Sequence, residues 1–102
     1  MPIEGLDPVI HPPARLQLMA LLCEVTELEF AAAREMLDVS DSVLSKHLAM
    51  LAEAGHLLLR KANAGGRQRT WIAATKTGRR SFQHHVTALR KLAAGVRQPK
   101  AP

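Results

Sequence analysis

Aromatic residues are nearly missing from this chain: its 102 residues include two Phe, one Trp and no Tyr. A core must therefore be filled by Leu, Ala, Val, Ile and Met, and the length suits one domain with a modest interior. The single cysteine, Cys23, rules out a disulfide within the chain and fits a reducing compartment. No apolar run approaches the roughly 20 residues of a membrane span, and Met1 opens no signal-peptide pattern, so a soluble cytoplasmic protein is expected. Acids are lacking from the whole second half. All nine lie at or before Glu53, whereas eleven of the fourteen Lys and Arg lie beyond it, and the net charge is +5. So many cations without an acid among them repel one another unless they meet a polyanion, which points to nucleic acid or an anionic surface.

The most informative stretch that is present runs from Val39 to Gly55. Ser40 is placed to cap a helix by accepting from a free amide, Asp41 suits the positive end of the helix dipole, and Gly55 suits a left-handed C-terminal cap. Leu44, Leu48 and Leu51 recur at helical spacing and predict a narrow buried stripe. The opposite face carries Ser42, Val43, Ser45, Lys46, Ala49 and Met50. Such short, neutral or basic side chains let a helix nose enter a DNA major groove, where Ser and Lys reach base edges and Val touches a thymine methyl.

The preceding residues, 1–11, read as an extended arm whose Leu6, Val9 and Ile10 can dock on a neighbour. Pro12 and Pro13 suit a helix start, and the helix to about Glu24 is apolar nearly all round. Leu16, Leu18, Met19, Leu21, Leu22 and Cys23 demand cover on two sides, one of them predicted to be a second subunit. Thr26 to Phe30 reads as a very short strand. A second helix from Ala31 is expected to turn Ala32, Ala33, Met36 and Leu37 inward. With Asp38 and Val39 as the turn, it forms a helix-turn-helix with the stretch described above. Next, His56–Lys61 and Arg67–Ala74 flank Ala62–Gly66, with its Gly65–Gly66 turn, as a β-hairpin, with Leu57 and Leu59 facing inward on the first strand and Ile72 and Ala74 opposite on the second. Arg60, Lys61, Arg67 and Arg69 crowd this hairpin, which suits a phosphate backbone or a minor groove. Thr75 is placed to cap a last helix over 76–96, with an apolar stripe at Phe82, His85 or Val86, Leu89, Leu92 or Ala93, and Val96. Residues 97–102 read as a flexible tail.

Helix, helix-turn-helix and basic hairpin in this order resemble the bacterial winged helix-turn-helix regulators of the ArsR/MarR type, in particular their small stand-alone members. The likeness covers essentially the whole chain. It rests on Ser40, Ser45, His47, Leu48, Leu51 and Gly55 in the recognition-helix pattern, on Gly66-Arg67-Gln68-Arg69-Thr70, and on Thr75-Lys76-Thr77-Gly78, where Lys76 replaces a frequent proline. The resemblance implies an α+β, mostly helical winged-helix fold: a three-helix core, a two-stranded wing and a C-terminal dimerisation helix. It makes Ser42, Ser45 and Lys46 base-edge candidates, Arg67 and Arg69 wing contacts, and His47 either a phosphate partner or a packed edge of the leucine stripe.

The expected DNA-binding set is Ser40, Ser42, Val43, Ser45, Lys46, His47, Arg60, Lys61, Arg67 and Arg69. The expected dimer interface is Leu6, Ile10, Leu18, Leu22, Phe82, Val86, Leu89, Leu92 and Val96. The family includes metal sensors, but the Cys-x-Cys pair that they often carry is absent. His84 and His85, about 100° apart on a helix, cannot share one ion, which leaves open only a site between subunits that also uses His11 or His56. Nothing resembles a phosphate loop, a nucleophile triad or a carboxylate pair, so catalysis and cofactors are not expected. The chain reads as a homodimeric, sequence-specific regulator of double-stranded DNA, most simply a repressor. The alternatives are a winged-helix protein-interaction module and a metal- or ligand-gated regulator.

Overall fold

The computed structural model describes residues 6–97, with the side chains of 96 and 97 excluded. The first helix, α1 (Pro13–Cys23), opens with proline in its first turn, where the missing amide costs nothing. It is the hub of the fold. Leu18, Met19 and Leu22 are fully buried, and α1 touches the three other helices and the sheet. Its last carbonyls have no partners within the helix. Arg79, from the far end of the sequence, supplies them: Nη1 donates to the Cys23 carbonyl at 2.9 Å, and Nη2 to those of Val25 and Leu22 at 3.1 and 3.4 Å.

A two-residue strand, β1 (Leu28–Glu29), leads directly into α2 (Phe30–Leu37). Asp38 ends α2 in the left-handed conformation (φ 52°), which a short polar side chain tolerates. Then Ser40 caps α3 (Asp41–Glu53), its Oγ accepting from the Val43 amide at 3.2 Å. The other end of α3 closes with the paired bonds of a Schellman motif: the Gly55 amide donates to Ala52 and the His56 amide to Leu51, with Gly55 at φ +80°. Strands β2 (Leu57–Ala64) and β3 (Arg67–Ala74) are joined by Gly65 and Gly66. Both glycines have positive φ, the conformation that a two-residue hairpin turn needs. The sheet order is β1-β3-β2, so the short strand lengthens the expected two-stranded wing into a three-stranded sheet. Helix α4 (Lys76–Arg97) completes the fold.

Helix α4 is tied to the end of α3 through Thr75. Its amide donates to the His56 carbonyl at 3.0 Å, its hydroxyl donates to the Gly55 carbonyl at 2.6 Å, and that hydroxyl accepts from Gly78 at 2.9 Å. A side chain at Gly78 would collide with the His56 carbonyl, which explains the glycine three residues after the cap. The core is aliphatic: Ile10, Leu18, Met19, Leu22, Ala33, Leu44, Leu48, Leu51, Leu57 and Ile72.

Several sequence expectations are corrected here. From Asp7 on, the arm is a turn, with the Asp7 carbonyl accepting from Ile10 and His11 at 3.0 and 2.8 Å; residues 1–5 lie outside the described residues. Ile10, Leu18 and Leu22 have no exposed surface to offer a second subunit, because the chain covers both sides of α1 itself. Met36 points outward, 57% exposed. Leu59, expected to face inward, pairs with the buried Ile72 but is 45% exposed, because β2 is an edge strand and the core ends beneath β3. The expected tail began at Arg97, which instead ends α4; residues 98–102 lie outside the described residues.

Candidate nucleic-acid interface

The leucine stripe of α3 fixes which face the helix presents. With Leu44, Leu48 and Leu51 buried, Ser42, Val43, Ser45, Lys46, Ala49 and Met50 are all exposed. They form one neutral-to-basic face of the helix, with Ser42, Val43, Ser45 and Lys46 in its first two turns. Ser40 sits at the same end, its hydroxyl 3.2 Å from that of Ser42. Asp41 is the one acid on this nose, and its carboxylate is paired with Arg34 Nε at 3.1 Å, which offsets its repulsion of an approaching phosphate. His47 is half-buried. Burial first, and the nearby Arg15 second, push its pKa below the ordinary imidazole value. Near neutral pH it therefore offers a hydrogen bond rather than a charge.

The wing is less simple. Strand alternation and register put Arg60, Arg67, Arg69 and Trp71 on one face of the hairpin, and Lys61, Asn63, Gln68 and Thr70 on the other, which continues the face of Ile72. On the first face two arginines are already engaged. Arg60 reaches across Trp71, with its guanidinium 5.9 Å from the ring centroid, and clasps Glu27 through Nε and Nη2 at 3.0 and 2.9 Å. That two-pronged contact holds the Glu27 carboxyl below its usual range. Arg69 Nη1 bonds both oxygens of Glu29, at 3.1 and 2.8 Å. Lys61 and Arg67 are exposed and make no ion pair among the described residues. Of the four wing cations expected at DNA, Lys61 and Arg67 thus present their full charge, while Arg60 and Arg69 are countered by β1 and the residue before it. Sequence reasoning missed both acids. The signal was the i, i+2 spacing of Glu27 and Glu29, which puts them on one face of a strand.

Two of the four histidines considered for a metal are otherwise engaged. His56 Nε2 lies 2.8 Å from Asp7 Oδ2, and His85 Nδ1 accepts from the Asp7 amide at 3.0 Å. Among the described residues, no three metal-ligating side chains converge. No helix there is long and apolar enough to cross a membrane. The expected interface residues on α4 divide by exposure: Phe82, Val86 and Leu89 are half-buried, and Leu92 is 47% exposed. Leu6 is half-buried, and the Val96 side chain lies outside the described residues.

A capped helix with a short-chain nose, beside a glycine-turned basic hairpin, is the architecture of a winged helix. Residues 14–93 match the family model of the winged helix DNA-binding domain, and the chain belongs to that family. It is 28% identical over 88 residues to an uncharacterized protein of Methanocaldococcus jannaschii, covering 86% of this chain and 96% of the relative. A transcriptional regulator homologue from Pyrococcus horikoshii superposes with a TM-score of 0.81 at 24% identity, covering 86% of this chain and 87% of the other. The PcaV transcriptional regulator of Streptomyces coelicolor has a TM-score of 0.75 at 16% identity over 95% of this chain and 67% of its own. For a zinc-responsive MarR family member of Lactococcus lactis the values are 0.65 and 18%, over 95% and 65% of the two chains. The fold is that of the MarR-type winged helix-turn-helix regulators.

Proposed function

We propose that the protein is a sequence-specific transcriptional regulator that binds duplex DNA as a homodimer and represses by occupying its site. The observation that carries this reading is the exposed face of α3. Ser42, Val43, Ser45 and Lys46 project together from a capped helix nose whose one acid is paired. In this reading α3 enters the major groove, Ser45 and Lys46 read base edges, Val43 meets a thymine methyl, and Lys61 and Arg67 hold phosphates. Dimerisation falls to α4, where Phe82, Val86, Leu89 and Leu92 recur at helical spacing on a stripe that is only partly covered. Two recognition helices would then read half-sites about one helical turn, ~34 Å, apart.

Selection from random duplex DNA at two salt concentrations tests the proposal. An enriched palindrome with salt-sensitive affinity is the expected result. Salt-sensitive binding without a motif would replace sequence reading by shape reading. No binding at either salt would leave the protein-interaction module, or a regulator that first needs a metal or small ligand; adding Zn²⁺ or a chelator separates those two.

A further inference from the structure

The turn at the start of the described chain is organised on one residue and held by two histidines. Asp7 accepts through its carbonyl from Ile10 and His11, and through Oδ1 from the Val9 amide at 2.9 Å. Its Oδ2 lies 2.8 Å from His56 Nε2, at the entrance to β2. Its backbone amide donates to Nδ1 of His85, on α4, at 3.0 Å. The turn in this position drives Ile10 into the core with no exposed surface.

The two histidine contacts respond differently to a proton. His56 Nε2–H donates to a carboxylate whether or not the ring is charged. His85 Nδ1 accepts an amide hydrogen, so it must carry a lone pair, and the ring must be the neutral form with its proton on Nε2. A proton on Nδ1 removes that acceptor and sets two donors against each other. It also puts a charge on a fully buried ring, 5.7 Å from the ring of His11.

We propose that His85 is a protonation-controlled latch: its neutral ring holds the 6–11 turn, and with it Ile10, against the domain, and proton uptake at Nδ1 releases them. The proposal does not depend on the DNA-binding reading. An open cleft of about 310 Å³ between the turn and α4, lined by Leu6, Asp7, Pro8, Ser81 and His84, brings water to the edge of the latch. The groups acting on His85 come chiefly from the turn. Burial and His11 push its pKa below the ordinary value, and the Asp7 carboxylate draws it back by less. His56 reaches it only through Asp7. Near the start of α4, Arg79 is held by the carbonyls of Cys23, Leu22 and Val25. His84, next to it on α4, is exposed.

The sign follows from which state binds the proton. The released ring ionises near its ordinary value and the latched ring below it, so the latch holds fully above about pH 6.5 and weakens as pH falls. Each pH unit below that value raises the opening constant by up to about tenfold.

Hydrogen exchange on the full chain tests this at about pH 7.5 and 5.5, with rates corrected for intrinsic exchange. Protection of the Ile10 and His11 amides is expected to fall about tenfold at the lower pH while α3 amides such as Leu48 keep theirs. In His85→Asn an amide oxygen replaces Nδ1 without titrating, and protection should stay flat. Ring ¹⁵N shifts of the unaltered protein give a second readout that needs no variant, and should show His85 neutral with its proton on Nε2. A pH-independent wild type, loss shared by α3, loss in His85→Asn equal to wild type, or a proton on Nδ1 at neutral pH would each overturn the latch.

Discussion

Helix α3, with Lys46 against Asp41 and Glu53, and the β-wing, with four cations and no acid, present less different charge than their counts suggest. Lys46 projects from a helix face and makes no ion pair among the described residues, and the acid at the start of the helix is tied to Arg34. On the wing, Arg60 and Arg69 point at Glu27 and Glu29, contributed by the chain some 33 and 40 residues earlier. A phosphate approaching these arginines meets ion pairs rather than bare charge and must displace a carboxylate to bind. The acid-free second half is thus partly neutralised by the first, and across the wing and the nose of α3 the cations without an acid partner among the described residues are Lys61, Arg67 and Lys46.

The contrast can be broken most severely from inside. Leu44→Ala should cost about 2–5 kcal/mol, because the fully buried side chain anchors α3 and leaves a cavity. Thermal or denaturant unfolding measures it, and a loss well under 1 kcal/mol would show that α3 is held some other way. Ser45→Ala and Lys46→Ala should each cost ~1–3 kcal/mol on the best site and much less on unrelated DNA. Equal losses on every sequence would move these residues from reading bases to holding backbone.

Next comes the wing itself. The double change Lys61→Ala and Arg67→Ala should flatten the salt dependence of DNA affinity by nearly two log units of slope, about 0.9 per lost phosphate contact. Arg60→Ala with Arg69→Ala should flatten it less; reversal of that order would mean that DNA displaces both carboxylates. Glu27→Gln with Glu29→Gln is the converse, and should tighten binding at low salt and steepen the slope. Smallest is Ser40→Ala, which should cost about 1 kcal/mol of stability through the lost cap while leaving sequence preference unchanged.

The elements visible in the sequence were those whose causes are local. Ser40, Gly55, Thr75 and the Gly65–Gly66 turn each act within a few residues, and the structure has each doing so. The hairpin around that turn was legible, whereas its register, Leu57 against Ala74 and Leu59 against Ile72, and the extension of β2 to Ala64 were not. What was hidden depends on partners far along the chain. An apolar face demands cover without naming the chain that supplies it, so α1 read as half of a dimer interface although its own sheet and helices enclose Leu18 and Leu22. Met36 and Leu59 have apolar spacing but lie past the rim of the core. The arginine–carboxylate pairs require β1 to lie beside β3, an order that no local pattern specifies.

The Thr75 junction has a mechanical consequence. Its bonds run to the carbonyls of Gly55 and His56, the two residues that terminate α3, and Gly78 packs directly on the second of these. No slack linker separates the long helix from the reading helix, so the two move as a crank and its arm. In a dimer joined through α4, a tilt of one α4 against the other changes the distance between the reading heads without bending either subunit. Any ligand or partner that alters that tilt would change which half-site spacing the pair can span.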